Sequence, residues 1–175
     1  ISSIILFGKD TFTAYFPLLG VESGLTGTEI GVIISVHSVA GILVRLFTPK
    51  LLAVFGRTKV TAGTIFITGA FLSIVPLSRE FGILCAISFM LGIGIGMGFP
   101  LSMTATLLSL PKHRIAEGLG MRLTANRLTQ TVTPFAIGLL ANFVTLTSVF
   151  VTCGCIILAG LMNTRVKFEG ERESE

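Results

Sequence analysis

The chain has 175 residues, of which 51% are hydrophobic and only 13% are charged. A soluble domain carries about 25% charged residues, so this composition, with a mean hydropathy of +0.89, excludes an ordinary soluble protein and indicates a chain embedded in a lipid bilayer. The net charge is +4, but the basic residues cap apolar stretches and form no soluble basic face with interleaved aromatics, which excludes a nucleic-acid-binding domain.

Six apolar stretches follow one another along the chain. A helix crosses the roughly 30 Å hydrocarbon core in about 20 residues, and we predict transmembrane helices over 1–19, 30–54, 60–77, 81–108, 115–141 and 143–162. Because the connections are short, residues 1–167 are predicted to form one all-α membrane bundle. The charged segment 168–175 is predicted to be a disordered cytoplasmic tail. The chain begins with isoleucine, and we expect it to be part of a longer protein.

The basic residues are unevenly distributed between the two sides of the predicted bundle. Six spans place both termini on the same side, and the other side carries only Arg79. The terminal side carries Lys50, Arg57, Lys59, Lys112, Arg114, Arg165, Lys167 and Arg172. Since basic loops stay in the cytoplasm, we expect an integral protein of the cell (inner) membrane with both termini cytoplasmic.

Two local patterns concern helix ends and helix packing. Thr26 followed by Glu29 is a capping box, which predicts that a helix begins there. The fourth stretch contains alternating glycines and a proline: Gly92, Gly94, Gly96, Gly98 and Pro100. No strand precedes this run, so it is not a dinucleotide-binding loop. It predicts two small-residue faces for close helix packing and a helix that bends readily, which suits packing or gating.

Two short patterns occur twice in the chain. Residues 16–18 and 99–101 both read Phe-Pro-Leu, and residues 45–46 and 127–128 both read Arg-Leu. Three helices followed by three related ones form an inverted repeat, which is typical of secondary transporters. We therefore predict two inverted three-helix repeats, with chance similarity as the alternative.

Polar side chains inside the apolar stretches form the candidate site. An ionisable group in lipid costs about 2.5 to 3.5 kcal/mol on insertion scales, so it faces a cavity or a partner. The candidates for a solute or coupling pathway are Lys9, Asp10, His37, Arg45, Asn126, Arg127 and Gln130. Arg122, Asn126 and Gln130 follow one another at i,i+4 spacing, and this stripe either lines the pathway or hydrogen-bonds to another helix.

Several of these side chains have two open interpretations. Asp10 is either a proton-accepting carboxylate or the partner of Lys9 or of an arginine on another helix. His37 either titrates near neutral pH as a coupling group or donates a hydrogen bond to a neighbouring helix. Cations outnumber the single acid among these residues, which favours an anionic solute.

No pattern of enzyme or metal chemistry is present in the sequence. Cys85, Cys153 and Cys155 lie in apolar stretches without further cysteine or histidine partners, so we interpret them as packing residues. No serine nucleophile with a base and no pair of catalytic carboxylates occurs. We therefore expect no metal, no cofactor and no enzymatic activity.

The succession of motifs resembles the C-terminal six-helix half of the major facilitator superfamily. The resemblance rests on residues 16–19, 24–25, 29–31, 49–59, 92–100, 117–120, 126–128, 133–134 and 138. In the loop 49–59, Leu51, Gly56, Arg57 and Lys59 are similar to the family's short cytoplasmic motif. Pro49 and Ala53 replace a glycine and an aspartate of that motif, which removes any gating ion pair made by the aspartate.

The resemblance implies twelve helices in two halves with the solute between them. The first, second, fourth and fifth spans would border the cavity, and the partner would be the missing N-terminal six-helix half or a second copy. The expected function is half of a secondary active transporter that moves a small organic solute by alternating access, coupled to a proton or solute gradient. The alternatives are half of a multidrug efflux permease and a non-transporting six-helix membrane module.

Overall fold

The structure, a computed structural model, is all-helical over the residues that it describes. These are residues 2–141 and 145–172 for the backbone, and 5–160 for the side chains apart from 108, 109, 112, 134, 136, 137, 139–144 and 146. The helices are α1 Ser2–Glu22, α2 Gly27–Phe55, α3 Arg57–Ile74, α4 Phe81–Ser109, α5 Ile115–Ala141 and α6 Leu146–Arg172. Single 3-10 turns, Val75–Leu77 and Lys112–Arg114, follow α3 and precede α5. The predicted all-α class is confirmed.

Three helices in the described part of the chain are long and apolar enough to cross a membrane. They are Gly27–Phe55, Arg57–Leu77 and Phe81–Leu107, and the apolar part of α6, Thr147–Gly160, is shorter. α1 and α5 carry most of the candidate polar residues, which lower their hydropathy. Three of the predicted spans therefore meet the length and composition of a membrane helix, and the full number of six stays a prediction.

Most of the observed helix ends lie within three residues of the predicted ones, and the break between α2 and α3 and the end of α6 are the two informative differences. The predicted break at 55–59 is the single residue Gly56, whose φ of +74° lies in the left-handed region that favours glycine. α6 extends to Arg172, beyond the predicted end at 162 and into the predicted tail 168–175. Residues 142–144 and 173–175 lie outside the described residues, and the disordered tail stays a prediction.

The capping box at the start of α2 is confirmed. Thr26 is the N-cap residue, and its hydroxyl oxygen accepts a hydrogen bond from the Glu29 amide at 3.4 Å. The Glu29 carboxylate accepts one from the Thr26 amide at 2.8 Å. Two amide groups at the helix end are thus satisfied without intrahelical partners.

Replacing Thr26 with alanine is expected to lower the free energy of unfolding by about 1 kcal/mol, the usual loss for an N-cap side chain. The measurement is thermal melting of the detergent-solubilised protein. Thr28→Ala is the matched control, because Thr28 is an exposed threonine two residues further along and its side chain has no capping role. Equal melting temperatures for the two variants would contradict the capping assignment.

The pattern of packed helix pairs is similar for the first three helices, α1–α3, and the last three, α4–α6. α2 packs along α4, α3 packs against α4 and α6, and α1 packs against α5 and α6. Exchanging α1–α3 with α4–α6 turns the α2/α4 pair into the α5/α1 pair, and the α3/α4 pair into the α6/α1 pair. An inverted repeat would produce this neighbour pattern, but the repeat itself stays a prediction.

The glycines of α4 face three different helices. A Cβ atom on Gly96 would lie 2.7 Å from the Cα and carbonyl oxygen of Gly41 in α2. On Gly94 it would lie 2.6 Å from Thr68 Oγ1 in α3, and on Gly98 it would lie 2.5 Å from Ile5 Cγ2 in α1. Because they lack side chains, these glycines let α4 approach its neighbours closely. In particular, the backbones of α2 and α4 come into direct contact beside the candidate site.

Candidate functional site

Two adjoining cavities lie among the helices that carry the candidate polar residues. The first, of about 260 Å³, is lined from α1, α2, α4 and α5, and its polar side chains are Lys9, Arg45 and Gln130. The second, of about 290 Å³, is lined from α1, α2 and α4. Lys9, Arg45 and Ile95 line both. The lining helices of the first cavity are the four that the resemblance implied.

Arg45 of α2 is held against a break in the hydrogen bonding of α4. Pro100 lies inside α4 and has no N–H, so the carbonyl of Gly96, four residues earlier, lacks the amide donor that it would have in a regular helix. Arg45 Nε donates to this carbonyl oxygen at 3.4 Å. A guanidinium has five N–H groups, so this bond leaves further donors beside the cavities for water or a solute.

Lys9 and Asp10 are neighbours on α1 but have different surroundings. The Lys9 side chain is exposed and lines both cavities. Asp10 projects about 100° further around the helix and is not among the described residues that line either cavity. Its Oδ2 atom is buried and has no hydrogen-bond partner. The pathway role of Asp10 therefore stays a prediction.

His37 of α2 is buried and connects α2 to two other helices. Its Nδ1 atom lies 3.3 Å from the carbonyl oxygen of Ser88 in α4, and since a carbonyl only accepts, Nδ1 carries the hydrogen. The ring lies against that of Phe12 in α1, with centroids 4.8 Å apart and the two planes tilted by 35°. His37 also lines the second cavity. His37 therefore makes the hydrogen bond to a neighbouring helix that the sequence analysis offered as one alternative, and it also faces the second cavity.

The polar stripe of α5 serves two purposes along its length. Gln130 lines the first cavity, and its Oε1 accepts a hydrogen bond from Arg127 Nη1 at 2.9 Å. Asn126 is buried but is not among the described lining residues. Arg122 donates to Ser102 Oγ at 3.1 Å and lies 5.1 Å from the Phe99 ring centroid. One end of the stripe therefore attaches α5 to α4, and the other reaches the cavity.

The glycine and basic residues of the loop motif lie apart from the cavities. Gly56 separates α2 from α3, Arg57 begins α3, and Lys59 lines a shallow groove at this end of the bundle. Arg57 Nη2 is buried without a hydrogen-bond partner. Ala53 stands where the resemblance implies an aspartate, so it offers no carboxylate to this guanidinium.

The sequence interpretation missed two polar residues of the second cavity, Thr13 and Ser38. Helical spacing could have identified both. Thr13 lies one turn beyond Lys9, and Ser38 lies two turns before Arg45, so each shares a helix face with a cation already singled out. A hydroxyl group in a membrane helix is not by itself a signal of a site, because it commonly donates to a carbonyl of the preceding turn. Ser38 donates to the Ile34 carbonyl oxygen in this way at 2.9 Å.

Long apolar helices that enclose cationic and amide side chains around a solute-sized cavity define an integral membrane protein of the transport class. The family described as the Major Facilitator Superfamily matches residues 1–174 of the chain. The chain therefore belongs to the major facilitator superfamily, whose members are membrane transporters rather than enzymes. The family expected from the sequence motifs is confirmed. A comparison with curated proteins gave no match.

Proposed function

We propose that the chain is the C-terminal half of a secondary active transporter that moves a small organic solute by alternating access. The observation that carries this proposal is the first cavity, where Lys9, Arg45 and Gln130 converge from α1, α2 and α5. Polar groups are costly in lipid and mark solute or ion pathways when they face a cavity. A partner, either the N-terminal six-helix half or a second copy, would close the open side of this cavity.

The helix packing supports a rocking movement. α1 and α4 both line the cavities and both contain an internal proline, Pro17 and Pro100, where a helix bends readily. The exchange-related neighbour pattern supports two similar units moving about a common centre. The distribution of basic residues supports an inner-membrane location with both termini in the cytoplasm.

Asp10 and Arg127 are the proposed coupling residues. The unpartnered and buried Oδ2 of Asp10 supports a carboxylate that takes up a proton or a cation during the cycle. Arg127 orients Gln130 through the 2.9 Å bond to Oε1, which supports an indirect role at the cavity wall.

The test is transport by the full-length protein that contains this chain, reconstituted in liposomes with a trapped pH-sensitive dye. A labelled panel of organic acids, sugars, amino acids and organic cations is added under an imposed proton or solute gradient. Gradient-driven entry of one compact compound supports the proposal. Movement of many apolar drugs would indicate multidrug efflux instead, and no gradient-driven flux of any compound would indicate a non-transporting module.

Asp10→Asn and Arg127→Gln are each expected to lower this flux at least about tenfold, which corresponds to about 1.4 kcal/mol of lost stabilisation. Membrane insertion should not change, because both substitutions remove a charge, Asp10→Asn keeps the shape of the side chain, and Arg127→Gln shortens an exposed one. Arg79→Gln, in the connection before α4, is the matched control and should transport normally. Normal flux in both site variants would remove Asp10 and Arg127 from the pathway.

A further inference from the structure

The two cavities meet at a pair of cationic side chains. Lys9 projects from α1 and Arg45 from α2, and each lines both cavities. Arg45 Nε also donates to the Gly96 carbonyl oxygen at 3.4 Å, which places the guanidinium beside the α4 backbone. A solute in either cavity therefore lies against the same two positive charges.

No acidic side chain balances these cations within the described lining of the two cavities. Asp10 is the nearest acid along the chain and its charge interacts with that of Lys9, but it does not line either cavity, and one carboxylate cannot neutralise two cations. Two like charges that face the same cavities repel each other. An anion that enters the cavity relieves this repulsion and gains attraction to both groups.

The neighbouring polar group of the first cavity is also a donor. The Oε1 atom of Gln130 already accepts a hydrogen bond from Arg127 at 2.9 Å, so its amide N–H groups are the ones left for a solute. The cavity thus offers an ammonium, a guanidinium and an amide donor. Such a set suits the oxygens of a carboxylate or phosphate.

The cavities have room for a charged group of a solute. Their volumes of about 260 and 290 Å³ are the share that this chain contributes to a site completed by its partner. We infer that the transported solute is a small organic anion whose carboxylate or phosphate group binds between Lys9 and Arg45. This inference rests on the proposed function and adds the substrate class.

The first test measures binding by thermal melting of the full-length protein in an uncharged detergent, with a thiol-reactive dye. The exposed Cys155 reacts from the start, and the rise on unfolding reports cysteines such as the buried Cys153. The probes are acetate, lactate, succinate, citrate and glycerol phosphate, each compared with its uncharged amide or alcohol and with a simple amine. We expect at least one anion to raise the melting temperature while its uncharged counterpart does not. Stabilisation by uncharged or cationic probes alone, or by none of the anions, would overturn the inference.

The variants Lys9→Gln and Arg45→Gln should each lose most of the shift caused by the anion, with an affinity loss of about tenfold or more. Lys9→Arg keeps the charge and should retain the shift, and Arg79→Gln removes a distant charge and should also retain it. An undiminished shift in both glutamine variants would overturn the assignment. A shift caused by phosphatidylglycerol but by none of the free acids would identify a lipid site and overturn the solute inference.

A measurement on the unaltered protein covers the case in which the variants fail to fold. Amine acylation followed by mass spectrometry should proceed more slowly at Lys9 in the presence of the stabilising anion, while the exposed Lys50 and Lys59 react at unchanged rates. Equal protection of all three lysines would contradict binding at this site. In the liposome assay, gradient-driven flux of an uncharged or cationic solute would overturn the anion inference but leave the transport proposal intact.

Discussion

Replacing Gly96 with alanine is expected to destabilise the bundle by at least about 2 kcal/mol, within the range for overpacked cores, and valine should leave little folded protein. A Cβ atom at Gly96 would lie 2.7 Å from the Cα and carbonyl oxygen of Gly41, and 2.7 Å from Val44 Cγ1. Backbone atoms cannot rotate away as a side chain does. α2 and α4 would therefore have to separate along the contact that places Arg45 beside the cavity.

The measurement is the melting temperature in detergent together with the yield of monodisperse protein. Gly31→Ala is the matched control in α2, because a Cβ atom there would meet nothing within 4 Å. We expect this variant to melt at or above the temperature of the unaltered protein, since alanine favours a helix over glycine. If Gly96→Ala melted like Gly31→Ala, the close approach of α2 and α4 would be wrong.

Local patterns were sufficient to predict much of the helical framework. The stretch predicted over 115–141 coincides with α5, and the start predicted at residue 81 coincides with that of α4, because polar residues interrupt the apolar runs on both sides. The capping box of Thr26 and Glu29 identified the beginning of α2. The end of α2 was harder to predict. The only residue between α2 and α3 is Gly56, whose positive φ turns the chain, and the basic residues after it already belong to α3.

The polar residues of the site could be identified from sequence, but their contacts could not. Each stands out because an ionisable group in lipid is costly. Whether it then lines a cavity depends on how its helix is rotated against neighbours that are distant in sequence. Asp10 and Lys9 illustrate this, since adjacent residues on one helix differ in whether they reach the cavities.

The hydrogen bond between Arg45 and the backbone of α4 was the least predictable feature of the site. The sequence indicates that Pro100 bends α4 and that Arg45 lies in a membrane helix, as two separate facts. Their connection through the Gly96 carbonyl depends on the glycine contact between α2 and α4, which brings residues 51 positions apart within 3.4 Å. One side chain thereby serves both the broken helix and the cavity.

This connection predicts that the effects of Arg45→Gln and Pro100→Ala on stability are not additive. Arg45→Gln alone should cost about 1 to 2 kcal/mol, because the buried Gly96 carbonyl loses its donor. Pro100→Ala supplies an amide that bonds to the same carbonyl within α4, so the double variant should lose about 1 kcal/mol less than the sum of the two single effects. A double-mutant cycle of unfolding free energies in detergent measures this coupling.

In the same variants, the effects on transport should differ from the effects on stability. Pro100→Ala restores the missing amide donor in α4 and is expected to raise the melting temperature. The new amide competes with Arg45 for the Gly96 carbonyl oxygen, which should loosen the guanidinium and slow gradient-driven flux. Arg45→Gln should reduce flux about tenfold or more with either residue at position 100, because the cationic partner of the solute is lost. Pro17→Ala in α1 is the control. The amide that it adds bonds to the carbonyl of Thr13, so this variant should show no stability coupling to Arg45. Additive stabilities in the Arg45 and Pro100 cycle would mean that Arg45 lies beside the carbonyl without supporting it, and its orientation at the cavity would then need another cause.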